Sequence, residues 1–325
     1  MARTRAAKPP RLKPGGTIFV TAPSSYPVYP SMKLAEGIEL LRKLGYRVVV
    51  GETVKRALRT WYFSAPPEHK ARELLNAFKD PSVDVIVCAR GGIGALHLLD
   101  KLDYDVIREN PKLVIGYSDI TALHEAVYAK AGVPGLQAAM PGPRPHIGFG
   151  EEDRERVFKY SVELALRAAS GEELELRNPP DAPMPKTINP GRARGTGIGG
   201  NIIMHVLLAA AGYVPPHEGS VLFLENIEEP AWRVDDYLQA LALAGLLSSP
   251  SGIVYGEFPE PETYRGPSPS IEEVIATRTR QYTGAPSFTN YSCCHGRYVL
   301  PFPVGTEVEV DADEGVVRML EPVAE

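Results

Sequence analysis

Strand and helix signals alternate without a break from residue 15 to residue 132, and that alternation leaves the chain few architectures. "GGTIFVTAPSS" at 15–25 reads as a buried strand running into a Pro/Ser loop. "SMKLAEGIELLRKLGYRVVV" then places Leu34, Ile38, Leu41 and Leu44 at helical spacing, stops at Gly45 and continues as a second strand. The pattern recurs in "HKARELLNAFKDPSVDVIVCARGGIGALHLLDKL", with a helix ending near Pro81, a strand over 83–88, a Gly-rich turn and another helix. "PKLVIGYS" is the next strand. Alternation of this kind implies βαβ crossovers and a mostly parallel sheet covered on both faces, the α/β class.

The texture changes between 141 and 200. "MPGPRPHIGFG" is a Pro/Gly-rich break, one helix follows at about 151–170, and "RNPPDAPMPKTINPGRARGTGIGG" is polar and rich in Pro and Gly. The expected division is a basic, disordered tail over 1–14, a first domain over 15–145, a connecting helix and linker over 146–200, and a second domain over 201–325. That second part opens with the helix "NIIMHVLLAAAG", the strand "SVLFLE" at 220–225 and the amphipathic helix "RVDDYLQALALAGLL". "SGIVYGEF" reads as a further strand, and the end of the chain as short, hairpin-like β structure.

Length and charge narrow the function classes. At 325 residues the chain suits two ordinary domains or one large α/β unit. Apolar residues at 44% and charged residues at 23% match a globular enzyme or binding protein. The net charge of −5 offers no basic stripe for nucleic acid. No apolar run approaches the roughly 20 residues of a membrane span, and the basic start lacks the apolar core of a signal peptide. The three cysteines, Cys88, Cys293 and Cys294, fit a reducing compartment, and the adjacent pair suits no ordinary disulfide. A cytoplasmic location is the expectation.

Ser118 sits where the "LVIGYS" strand turns into a helix. It has two readings: a helix N-cap, or a nucleophile projected from the C-terminal sheet edge, where open α/β folds bind ligands. The helix beneath would offer N–H groups to an oxyanion, although Ile120 stands where the G-x-S-x-G elbow has Gly. A serine needs a base. His124 falls about 9 Å further along the helix axis, and His97 is similarly placed after the Gly-rich turn. His69, His146, His205 and His217 show no acidic orienter. His295, in "NYSCCHGRYVLPFPVG", occupies a loop of small residues leading to a strand. Glu225 ends the apolar "SVLFLE" strand, a rigid place for a carboxylate; Glu228, Glu229, Asp235 and Asp236 look like helix-entry and solvent charges.

Gly91, Gly92 and Gly94 form a strand-to-helix turn that serves either as a tight βα connection or as a cradle of bare backbone N–H groups. "GTGIGG" at 195–200 has the letters of a dinucleotide fingerprint without the preceding apolar strand. Cys293, Cys294 and His295 are contiguous, without the spacing or second ligand pair of a zinc site.

Taken together, "TAPSS", "ARGGIGALHLLDKLDYDVIRENPKLVIGYSDITAL", "GIGGNI", "LFLENIEEPAWRVDDYLQAL", "GIVYGEF" and "CCHGRYVLPFPVG" resemble the LD-carboxypeptidases, serine peptidase family S66, which includes microcin C self-immunity proteins. The resemblance spans nearly all of 15–312. It implies a flavodoxin-like N-terminal domain, a smaller swivelling C-terminal β/α domain, an active site at their interface, and a dimer. It maps a Ser-Glu-His triad onto Ser118, Glu225 and His295, and an oxyanion hole onto the backbone N–H groups of Gly91 or Gly92 and of Asp119. The family usually has Gly where this chain has Cys294.

The activity implied is amide hydrolysis with no metal or organic cofactor. The substrate would be murein tetrapeptide, losing D-Ala at an L,D bond, or an aminoacyl-nucleotide antibiotic of the microcin C type. Arg90 and Arg233 are candidates for a terminal carboxylate. Trp61, Tyr62, Trp232, Tyr264 and Tyr282 are candidates for stacking, or for ordinary packing. A non-catalytic binding protein on the same scaffold is the alternative of another class.

Overall fold

Val85, Ile86, Val87 and Cys88 are all buried, as are Leu113 to Gly116, because both faces of their sheet are covered. The structure, a computed structural model, describes residues 8–27, 33–55, 61–144, 151–259 and 269–325. The strands in chain order are β1 (Thr17–Thr21), β2 (Arg47–Val50), β3 (Val85–Cys88), β4 (Leu113–Gly116) and β5 (Gly135–Gln137). They continue as β6 (Glu175–Leu176), β7 (Lys186–Asn189), β8 (Arg192–Asn201), β9 (Ser220–Glu225) and β10 (Gly252–Gly256). The last four are β11 (Ser287–Tyr291), β12 (Phe302–Val304), β13 (Glu307–Asp311) and β14 (Val316–Met319).

The first sheet has the order β12-β5-β4-β3-β1-β2. Strands β1 to β5 are parallel, in the flavodoxin-like order 2-1-3-4-5, whose switch point lies between β1 and β3. The second sheet has the order β6-β14-β13-β8-β9-β10-β11-β7, with a parallel centre from β8 to β11 and antiparallel flanks. The helix Thr121–Ala131 is buried over nearly its whole length and stops at Gly132 in the left-handed region. It packs against β5, β8 and β12 and against the helix Ile202–Ala211, so it sits between the two sheets.

Three expectations need correction. The polar stretch before residue 201 is not a linker: it supplies β6, β7 and the long central strand β8. Glycine hid β8, because neighbouring backbone leaves no room for side chains. A Cβ on Gly199 would lie 2.1 Å from the carbonyl oxygen of Phe223, its partner residue in β9. The second part of the chain also does not stay apart, since β12 returns to pair antiparallel with β5 in the first sheet. Finally, the described residues of the basic stretch are held in place. Leu12 is buried, its N–H donates to the Ala169 carbonyl, and Lys8 pairs with Glu321 and Glu325.

Candidate active site

The site is assembled at the C-terminal ends of β1, β3, β4 and β9. After β4, Tyr117 is extended and Ser118 takes φ +68, left-handed backbone that costs a non-glycine residue about 1–2 kcal/mol. Ser118 opens a 3-10 turn through Ile120 that feeds the helix Thr121–Ala131. The residues in the N-cap places of these two elements, Tyr117 and Ile120, make no side-chain cap. Left-handed backbone on a non-glycine residue is the kind of outlier that clusters at functional turns.

The Gly-rich turn after β3 closes over this serine. A Cβ built on Gly91 would stand 2.8 Å from Ser118 Cβ and 3.1 Å from its Oγ. Gly92, at φ +114, faces Ser25 instead. Of the two glycines, Gly91 is the one against the Ser118 turn.

Asp119 ties these loops together. Its buried carboxylate accepts from Ser24 Oγ at 2.5 Å, in the loop after β1, and from Ala95 N–H at 2.8 Å, beyond the Gly-rich turn. Burial raises the Asp119 carboxyl, with those two bonds and Lys70 opposing. Lys70, itself buried, directs Nζ towards the carbonyls of Gly94 at 3.3 Å and Ser24 at 3.5 Å and lies over the Phe63 ring. Burial lowers it to about 8.

Glu225, the last residue of β9, is fully buried. Its Oε2 lies 2.5 Å from His295 Nδ1, and its Oε1 accepts from Asn201 Nδ2 at 3.3 Å. The His295 ring meets Tyr117 edge-on, with centroids 5.3 Å apart, so the imidazole stands beside the residue that precedes Ser118. The His295 loop is pinned by Glu257, just past β10. Its Oε1 accepts from Ser292 Oγ at 2.5 Å and from Arg297 N–H at 2.9 Å. Burial raises Glu257, against these same two bonds.

Cys294 has φ +63 and is buried, with its Sγ 2.8 Å from that of Cys293; both thiols are free. Left-handed backbone at this position accounts for the glycine expected there. Burial pushes both thiols up, which leaves them poor nucleophiles.

The arginine candidates are occupied locally. Arg90 donates to the carbonyls of Gly91 at 3.1 Å and Tyr26 at 3.5 Å. Arg233 lies over the Trp232 ring and 3.8 Å from the Asp236 carboxylate. Among the aromatics, Trp61 and Tyr62 are exposed, Trp232 is also exposed, and Tyr282 donates to Gln239. His146 and Tyr264 lie outside the described residues.

Among the other histidines, His124 faces the Gly116 carbonyl at 3.0 Å and is lowered to about 4 by burial. His205 does have an acidic orienter, Glu125, contrary to expectation. Asn201, Glu257, Ser24 and Lys70 were not singled out by sequence reasoning. Each does lie in or beside a segment that carries the family resemblance, except Lys70. Among the described residues, no group of three or more His, Cys, Asp or Glu is arranged to hold a metal ion. No helix there is long and apolar enough to cross a membrane.

Comparison with known proteins places this geometry in context. The sequence profile of the LD-carboxypeptidase N-terminal domain matches residues 18–138, and that of the LD-carboxypeptidase C-terminal domain matches residues 194–310. A putative carboxypeptidase of Streptomyces coelicolor is 31% identical, covering 97% of this chain and 96% of that protein. A probable murein peptide carboxypeptidase of Bacillus subtilis is 27% identical over 94% and 92% of the two chains. The microcin C7 self-immunity protein MccF superposes with a TM-score of 0.86, covering 98% of this chain and 99% of that one; at 22% identity this likeness concerns the fold.

Proposed function

The chain belongs to the LD-carboxypeptidase family, and from that premise we propose that it is a serine hydrolase that removes the terminal D-Ala of murein tetrapeptide. The observation that carries the reading is the 2.5 Å contact between Glu225 and His295, with the His295 ring against Tyr117, the residue before a serine held in left-handed backbone.

In this mechanism Ser118 Oγ attacks the carbonyl carbon of the scissile L,D bond, and His295 Nε2 takes the hydroxyl proton. Glu225 holds the proton on Nδ1, which fixes the tautomer, and stabilises the imidazolium that forms. The backbone N–H groups of Gly91 and Asp119 receive the oxyanion. Collapse breaks the C–N bond as His295 returns its proton to the leaving amine of D-Ala. Water, deprotonated by His295, then cleaves the acyl-enzyme and restores Ser118. Every proton is carried by the chain's own residues or by water.

The murein assignment leans on the Bacillus subtilis relative, whose name states that substrate class. Mass spectrometry of murein tetrapeptide incubated with wild type and with Ser118→Ala tests it. Loss of one alanine with wild type alone supports the reading. An intact tetrapeptide, with an aminoacyl sulfamoyl nucleotide cleaved instead, replaces it by the self-immunity activity.

A further inference from the structure

Away from the candidate site, three titratable side chains from separate elements meet in the interior. Glu125, on the helix after the nucleophile turn, and His205, on the helix Ile202–Ala211, are fully buried; His217, before β9, is nearly so. His205 Nδ1 lies 2.8 and 2.9 Å from the two Glu125 oxygens, and His205 Nε2 lies 2.8 Å from His217 Nε2. His217 Nδ1 lies 3.0 Å from the Pro215 carbonyl, and Glu125 Oε1 accepts from Gly199 N–H at 3.0 Å.

Counting hydrogens along this chain locates the protons. A carbonyl oxygen only accepts, so His217 carries its hydrogen on Nδ1. Burial, with His205 adding to it, drives His217 down to about 3, so its Nε2 is bare and must accept. His205 Nε2 therefore donates. On its other side, Nδ1 approaches both carboxylate oxygens almost equally, the arrangement of one N–H shared between two acceptors; a protonated carboxyl would reach Nδ1 through a single oxygen.

We propose that Glu125, His205 and His217 form a proton-holding lock between the two sheets, in which His205 is an imidazolium clamped by the Glu125 carboxylate. The lock has a defined mechanical target. Glu125 and Thr121, one helical turn apart, grip the end of β8 through Gly199 N–H and Asn201 N–H, while Gln137 of β5 donates to the Gly199 carbonyl. Asn201 in turn donates to Glu225. The helix that begins just after Ser118 is thus joined to the strand end that holds the Glu225 carboxylate. Glu125 and His205 are positioning residues in this arrangement.

The other titratable groups on these elements are turned elsewhere. His124 faces the Gly116 carbonyl, Lys130 the Gly212 carbonyl and Tyr213 ring, and Tyr128 packs by Gly305. Glu218 is exposed, and Arg192 and Arg194 pair with Asp311 and Glu309 at the far end of β8.

The proton assignment does not depend on the hydrolase reading, because its first test reads protons directly; the labelling readout rests on that reading and is used only once wild type is shown to label. In nitrogen-15 NMR of the full chain at pH 7.5, with His205→Gln used to assign the ring, both nitrogens of His205 are expected to carry hydrogen and His217 only Nδ1. A bare nitrogen on His205 would overturn the proposal. Glu125→Gln supplies a second readout. Its amide can donate to Nδ1 and still accept from Gly199, so His205 becomes neutral and keeps the Nε2 hydrogen. His205→Leu instead strands a buried carboxylate, and labelling of Ser118 by a fluorophosphonate is expected to slow about a hundredfold. Equal slowing in Glu125→Gln and His205→Leu would contradict the lock.

Discussion

Gly91 is pressed so closely against Ser118 that no side chain fits between them, since a Cβ would meet Ser118 Cβ at 2.8 Å. The contact joins the turns after β3 and β4, and it sets a bare backbone segment directly against the Ser118 side chain. Gly91→Ala must displace one turn or the other. A shift of about 1 Å in reacting groups costs on the order of 10²-fold in rate. We expect a drop of that size in fluorophosphonate labelling, with thermal stability changing far less because the contact is a local one. Labelling at the wild-type rate would show that the two turns are not coupled.

The loop before His295 stores strain at Cys294. Left-handed backbone costs about 1–2 kcal/mol for a residue with a Cβ. Glycine removes that cost but adds about 0.5–1 kcal/mol of unfolded-state entropy. The lost burial of the thiol offsets what remains, so Cys294→Gly should fold with nearly unchanged stability. Cys294→Val, β-branched and buried, should lose at least about 2 kcal/mol. Urea unfolding of the three proteins gives the order, and a valine variant as stable as wild type would refute the strain.

Glu257 never touches the imidazole, yet it holds the loop that presents it. Glu257→Ala leaves Ser292 Oγ and the Arg297 N–H without their acceptor, at a cost of about 1–3 kcal/mol. Labelling of Ser118 should slow with it. Glu257→Gln keeps an acceptor oxygen and should recover most of both losses. Matching stability and labelling in the alanine variant and wild type would remove Glu257 from the account.

Lys70 gives a pH signature. Burial holds it at about 8 in the folded protein, against 10.5 for the free side chain. Between those values the unfolded chain carries a proton that the folded chain lacks. The Lys70 contribution therefore makes stability rise with pH over that window. The stability of wild type minus that of Lys70→Met should climb from pH 8 to pH 10.5 in urea titrations. A flat difference would mean that Lys70 keeps its ordinary proton affinity when folded.

Much of the first sheet was legible because β1, β3 and β4 are short apolar runs bounded by turn residues. Strand β8 was not, because its glycines, required by the close approach of neighbouring backbone, imitate a loop. Ser118 and Glu225 announced themselves by position, each at the end of an apolar strand. Their relation to His295 did not: Glu225 and His295 are 70 residues apart, and only the fold brings them to hydrogen-bond distance. Glu125, His205 and His217 were invisible for the same reason. Each sits in an unremarkable helix or loop, and their meeting depends on how one helix lies between two sheets. Arg90 and Arg233 were suggested as bidentate partners for a terminal carboxylate, and the structure adds what sequence could not show, the local contacts of their guanidinium groups with the Gly91 carbonyl and the Trp232 ring.

We propose that Ser118 is a nucleophile activated by His295 under the control of Glu225. Intact-protein mass spectrometry after brief exposure to a fluorophosphonate tests it without any choice of substrate. A single adduct located on Ser118, absent in Ser118→Ala and suppressed by His295→Gln and by Glu225→Gln, is the predicted result. An unlabelled wild type, or labelling of Ser118 at the same rate in all three proteins that retain it, would contradict the account.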